Sequence, residues 1–404
     1  MAIGSAHRRP QPSGGPAGNP YQAGLITVKI LLAAPYFAPR TGGMETYAWH
    51  LAQGLRAAGA EVVVVCGDDV PSVRREHLDG LVVYRLPIWR TVSNTPVHPA
   101  WPWLLRRILR AERPDVVNAH TPVVFMVDAA ALAVGRVPLV VTYHAATLDK
   151  PGGLAMRATT LAYRAVQRLT LGRADAVVAV SPYVRDALGR WADKLHVVPN
   201  AVPAVAAAPP EAIGDGLAFV ASLQRTHSWK GLDLLLDALE RYRRRYGGSA
   251  PRLTVVGDGD DRPRYERRVK ELGLTAAVTF TGRLPPADRD RVLRGVRALV
   301  ACPSTANDAF PTVLLEAWAQ GVPVVATAIG ALPSLVAEGR TGALAQAGDP
   351  DDLARVLHEV LTDPELARTL GENGRQRVAA EYTWPTQARR MINLLAAVAG
   401  PRRR

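Results

Sequence analysis

From residue 28 onward the chain alternates short β-branched apolar runs with longer stretches whose apolar residues recur every three or four positions. Val28–Ala34 is such a run, Gly43–Ala58 sets Tyr47, Ala48, Leu51 and Leu55 on one helical face, and Glu61–Cys66 returns as a strand. Short apolar runs alternating with helices of this length predict right-handed βαβ units around a parallel sheet. The rhythm continues through Asp115–Ala119, Pro138–His144, Asp175–Ser181 and Leu195–Pro199. After Asn200 a run of Ala, Val and Pro has no periodic face and reads as a linker. A second series then runs through Leu217–Ala221, Leu253–Gly257, Val278–Thr281, Ala298–Ala301 and Val322–Ala326. The expected fold class is α/β, with two Rossmann-like domains at residues 25–203 and 204–383. A polar Gly- and Pro-rich tail (1–24) precedes them, and a helix with a frayed basic end (384–404) follows.

Composition narrows the function. A chain of 404 residues suits two α/β domains. Its formal net charge of +13 is compatible with a nucleic acid, an anionic membrane surface or a phosphate-bearing small molecule. No basic segment carries interleaved aromatics, so a nucleic-acid partner is disfavoured. The tail lacks the apolar core of a signal peptide. The longest apolar stretch, Val123–Tyr143, is interrupted by Asp128, Arg136 and Pro138, against the roughly 20 mostly apolar residues a bilayer span needs. Cys66 and Cys302 sit in separate apolar runs without metal-ligand spacing, which points to a reducing, cytoplasmic setting and no cysteine metal site.

Three segments carry candidate chemistry. Gly42-Gly43 enters the first helix, where free amides and close backbone approach suit an anion, although glycines there also serve as plain turns. There is no G-x-G-x-x-G or Walker pattern, which disfavours a dinucleotide or P-loop reading. Arg225 and Lys230 follow the first strand of the second series, where two cations would face a diphosphate at the strand ends. Asp308 and Glu316 are eight apart, and a helix beginning near Pro311 carries Glu316 among Val313, Leu314, Leu315 and Ala317. A carboxylate in that company is costly unless it binds something, and a ribose diol is a suitable partner. His144 and His120 both end apolar strands; on the residues alone each reads as structural, and His120 has a second reading as a lining residue of an acceptor cleft.

Taken together these segments resemble family 4 of the nucleotide-sugar glycosyltransferases, over about residues 28 to 395. The resemblance rests on Pro35 to Glu45 with its Gly-Gly-x-Glu, on Thr142 and His144, Val180-Ser181-Pro182 and Val198 to Val202. It rests further on Arg225…Lys230-Gly231, Val256-Gly257-Asp258-Gly259, Phe280-Thr281-Gly282 and Asp308–Glu316. It implies the GT-B architecture, two Rossmann-like domains facing across a cleft, with the last helix returning to the N-terminal domain. It implies that Glu316 holds the donor ribose, while Asp308 and the segment Ala309, Phe310, Pro311 and Thr312 that follows it, with its free amides, meet the transferred sugar. Arg225 and Lys230 would neutralise the pyrophosphate, and Gly42 and Gly43 would approach the phosphates or the acceptor. His144 would lie over the reacting sugar, Arg283 would follow the loop that holds the base, and Gly257 would belong to the donor-binding residues. The family usually has Glu where this chain has Asp308, and the loop before Lys230 is longer than its common pattern.

The implied reaction is retaining transfer of a hexose or N-acetylhexosamine from a nucleotide-diphosphate sugar to a lipid, polysaccharide or small-metabolite hydroxyl. No aspartate pair suits a divalent cation, and no cofactor or metal is expected. A sugar-nucleotide epimerase of the same fold, or a non-catalytic sugar-nucleotide-binding protein, is the alternative. Acceptor choice falls to Trp89–Trp103 and Ala145–Arg157. Trp101–Arg107 has the aromatic and cationic make-up of an interfacial anchor, so peripheral contact with the inner face of an anionic membrane is one expectation. Its other reading is a buried helix entry with two exposed arginines.

Overall fold

The computed structural model describes residues 28–40, 42–92, 95–121, 125–145, 154–203 and 214–400, with only the backbone at 154–160 and 162. The expected tail (1–24), most of the linker (204–213), loop positions 146–153 and the basic end (401–404) lie outside the described residues.

The first sheet runs, edge to edge, through Leu195–Val197, Ala176–Ala179, Leu139–Tyr143, Val116–Thr121, Lys29–Ala34, Glu61–Asp68, Leu81–Pro87 and Arg74–Leu78. All neighbours are parallel except the last pair, an antiparallel hairpin. Helices cover both faces, which is why the central strands are apolar runs rather than alternating patterns. The hairpin departs from the expected βαβ rhythm. Arg74–Leu78 is a charged edge strand with no apolar run, and Asp79 and Gly80 turn with positive φ at both positions, 45° and 79°, as tight hairpins require.

The second sheet is wholly parallel, in the order Val278–Gly282, Leu253–Val256, Leu217–Val220, Ala298–Ala301, Val324–Thr327 and Gly342–Ala345. The last strand, Gly-Ala-Leu-Ala, has no β-branched residue and was not expected from the sequence. Chain order reverses between Leu217–Val220 and Ala298–Ala301, so a crevice opens beyond the carboxyl ends of those two strands.

The chain passes between the halves twice, and the two crossings are joined by hydrogen bonds. The Val202 amide donates to the Tyr382 carbonyl (3.0 Å), and the Trp384 amide donates to the Val202 carbonyl (3.1 Å). The helix Trp384–Ala399 then lies on Gly43–Ala57, its Met391 and Leu395 sharing a buried cluster with Tyr47, Leu51 and Leu55. A Cβ at Gly54 would come within 2.8 Å of the Ala388 Cβ, so glycine permits this close helix contact.

Candidate active site

At the crevice, the ends of the two strands and the helix Thr312–Ala319 border an open pocket of about 350 Å³, adjoining solvent included, whose lining includes Ala221, Lys230, Pro303, Asp308 and Pro311. Lys230 ends a 3₁₀ turn, Arg225–Lys230, and Gly231 follows at φ 89°. A Cβ there would sit 1.7 Å from the Cys302 carbonyl oxygen, so only glycine lets the lysine loop close onto the strand end. The Cys302 thiol donates to the Gly231 carbonyl at 3.2 Å from the other side, and burial holds its pKa up at about 12. Fixed in this way, Lys230 Nζ pairs directly with Asp308 Oδ2 and lies 4.5 Å from the centre of the Trp229 ring.

The helix Thr312–Ala319 starts after Pro311, which offers no side-chain cap to its first amides. Ala309 and Phe310 are buried beneath, with Phe310 5.9 Å from Tyr382 and its carbonyl 3.5 Å from Asn200 Nδ2 of the N-terminal half. Thr312 is half-buried at the helix start. Glu316 lies a turn further along. Burial raises its pKa, and Arg289, 3.2 Å away on the helix Pro286–Arg294, pulls in the opposite direction. The sequence reading sought a ligand for this carboxylate; the structure supplies a cation of the chain itself. Arg289 was not singled out, and its Nε is buried without a partner.

Other expected residues sit apart from Lys230 and Asp308. The Arg225 side chain is 78% exposed and reaches only to Asp261, at 3.8 Å, while its amide donates to Asp260 (2.8 Å). It is a rim residue rather than a lining one. Gly257 has φ 144°, and a Cβ would lie 1.8 Å from the Ala221 carbonyl oxygen, so close packing of two loops already requires glycine. Arg283 is exposed, one residue beyond Gly282, whose carbonyl accepts from the Gly257 amide at 2.9 Å.

In the N-terminal half, a buried arginine missed in the sequence holds the loop after the first strand. Arg85 pairs with Glu76 (2.5 Å) and Asp68 (3.2 Å) and donates to the Ala38 carbonyl (2.7 Å). The loop leads to Gly42, extended at φ −174°, which caps the helix with no side-chain bond. A Cβ at Gly43 would meet nothing within 4 Å. Internal packing therefore gives no reason for that glycine, and the uncapped amides remain suited to an anion.

Thr142 is fully buried and accepts from Asn118 Nδ2 at 2.8 Å. His144, at the end of the same strand, lies with Nε2 3.0 Å from Nδ1 of His120 and its ring stacked on that ring. Tyr47 meets His144 edge-on at 4.6 Å and Trp384 at 5.3 Å. Burial pushes the His144 pKa down to about 3. Burial also drives His120 well below the ordinary range, with the neighbouring His144 as a second cause. Both rings are therefore neutral, and one proton serves the nitrogen pair.

Residues 41–204 match the family model described as Glycosyltransferase Family 4, and residues 206–377 match Glycosyl transferases group 1. The glycogen synthase of Mycobacterium tuberculosis is 28% identical, over 93% of this chain and 96% of that protein. Sucrose-phosphate synthase from Thermosynechococcus elongatus superposes with a TM-score of 0.71 at 22% identity, over 91% of this chain and 98% of that one. Anabaena HepE in complex with UDP-glucose does so at 0.69 and 19%, over 91% and 99%. The chain belongs to the family 4 glycosyltransferases and has the GT-B fold.

Proposed function

We propose that this chain transfers a hexose or N-acetylhexosamine from a nucleoside-diphosphate sugar to an acceptor hydroxyl, with retention at the anomeric carbon and without a metal. The observation that carries the reading is Lys230, fixed by Gly231 at the strand ends and lining a cavity whose other wall is an uncapped helix N-terminus. The UDP-glucose in the HepE structure supports a donor of this kind.

Cleaving the bond between the anomeric carbon and the phosphate oxygen places charge on the departing diphosphate. Lys230 and the amides beginning at Thr312 stabilise that charge in place. In the free chain Asp308 neutralises Lys230; an entering diphosphate takes over the lysine and releases the Asp308 carboxylate toward the sugar. The acceptor oxygen attacks the face that the phosphate leaves, a new C–O bond replaces the old one, and the acceptor proton passes to the leaving phosphate oxygen. Retention here needs no carboxylate nucleophile, unlike retaining glycosidases.

Thermal shift with a panel of nucleoside diphosphates and their sugars tests the donor, because a ligand that binds only the folded chain raises its apparent stability. Turnover of the stabilising sugar nucleotide is then followed with and without hydroxyl acceptors. Epimerised donor without acceptor, or no stabilisation by any sugar nucleotide, would overturn the reading.

A further inference from the structure

Every large apolar side chain exposed among the described residues lies in the N-terminal half, between Val73 and Leu169. Most belong to one helical layer: Trp103 on Trp101–Glu112, Leu132 on Met126–Ala133, and Leu161, Val166 and Leu169 on Leu154–Arg173. The three helices are neighbours. Arg106 donates to the Leu132 carbonyl at 3.0 Å, Thr170 donates to Asp128 at 2.5 Å, and Arg173 donates to the Gly135 carbonyl at 2.5 Å. Helical spacing does the rest: Trp103 lies a turn before Arg106, Leu132 a turn after Asp128, Val166 a turn before Thr170 and Leu169 a turn before Arg173. Four of the five exposed side chains thus lie within a turn of a bond between these helices, on one layer.

Charge on this layer has one sign. The two longer helices carry seven arginines and a single carboxylate, Glu112, which turns inward to Lys29 at 2.9 Å. Asp128, on the short helix, is engaged by Thr170 and by the Phe125 amide. Arg107 stacks 4.8 Å from the centre of the exposed Trp103 ring, while Trp101 is buried with its indole N–H on the Pro87 carbonyl (2.9 Å). The segment Trp101–Arg107 therefore fits both sequence readings at once, one tryptophan entering the core and the other facing out beside a cation.

We propose that this face docks on an anionic lipid bilayer. Apolar tips among arginines, with no outward carboxylate on these helices, match a headgroup layer that is negative above and apolar beneath. A second copy of the chain is a poor occupant, since its own arginines would oppose these. Among the described residues no helix is long and apolar enough to cross a membrane, so contact is peripheral. The helices Met126–Ala133 and Leu154–Arg173 follow the strands Val116–Thr121 and Leu139–Tyr143, whose carboxyl ends carry His120 and His144. Given the transferase reading above, on which this one step rests, docking brings a lipid-borne hydroxyl to the cleft mouth.

Flotation of the full chain with phosphatidylcholine vesicles, with and without phosphatidylglycerol, tests the proposal independently of turnover. The chain is expected to float with the anionic vesicles at low salt and to be released as salt rises. Leu132→Glu with Leu169→Glu, both on exposed positions, should reduce partitioning about tenfold or more, while the melting temperature and donor stabilisation stay unchanged. Absence of flotation at low salt, equal flotation on neutral vesicles, or full flotation of the double variant would overturn it. So would a double variant that merely converts a dimer to a monomer.

Discussion

His120 Nδ1 and His144 Nε2 lie 3.0 Å apart at the ends of adjacent parallel strands, both rings held neutral by burial. Unfolding returns each to an ordinary pKa of about 6.5. Between that value and the depressed folded one, the unfolded chain binds protons that the folded chain does not, so stability falls as pH drops below about 6.5 and is indifferent to these rings above it. The loss is up to about 1.4 kcal/mol per pH unit per ring. His120→Gln should flatten the decline in urea midpoint between pH 6.5 and 5. An unchanged slope would mean that the ring takes up its proton in the folded state.

Lys230→Ala should lower kcat/KM by about 100-fold or more, on the order of 3 kcal/mol of lost charge stabilisation. Arg225→Ala, at an exposed rim position, should cost much less. Steady-state kinetics of the two folded variants decide, and equal losses would place Arg225 on the diphosphate after all.

The two acids of the Asp308–Glu316 segment should separate in calorimetric titration with the bare nucleoside diphosphate. Glu316→Gln should weaken binding by about tenfold or more, as charged hydrogen bonds contribute roughly 1.5–3 kcal/mol. Asp308→Asn should leave binding unchanged or tighter, because the lysine loses its internal competitor, while transfer falls sharply. The reverse pattern would exchange the roles of the two acids.

Arg289→Ala strips Glu316 of its nearby cation and moves the carboxyl pKa further up. The folded state then holds a proton that the unfolded state releases above its ordinary pKa, so the stability deficit should grow as pH rises. Urea unfolding at pH 5 and pH 8 measures it; a deficit that is equal at both would show that Arg289 does not interact with the ionised acid.

Transfer should persist in excess chelator, since Lys230 and helix amides carry the leaving-group charge in the proposed mechanism. Activity abolished by chelator and restored by Mg²⁺ or Mn²⁺ would require a different mechanism.

Much of the architecture was legible because strands covered on both faces read as continuous β-branched runs, as in Glu61–Cys66. Elements that escaped lacked that signal. Arg74–Leu78 is a charged edge strand, although its Asp79-Gly80 turn was a usable clue. The site was half legible. Lys230, Asp308 and Glu316 stand in one stretch or at one strand end, so local chemistry points to them. Arg289 and Arg85 matter through contacts made only on folding, and nothing near them in sequence marks them. His120 and His144 were visible singly, but their pairing depends on a register that sets His120 against Thr142 and Thr121 against Tyr143.

The helix Trp384–Ala399 supplies Trp384, Met391 and Leu395 to the core of the N-terminal half. During synthesis that half leaves the ribosome first, yet its last structural piece is translated only after the entire second half. Until then the face of Gly43–Ala57 around Leu51, Gly54 and Leu55 lacks its cover, and the nascent chain presents an apolar stripe. Loss of only the last twenty or so residues would thus damage the domain farthest from them in sequence, and would do so by leaving Tyr47, the ring that braces His144, without its neighbour Trp384.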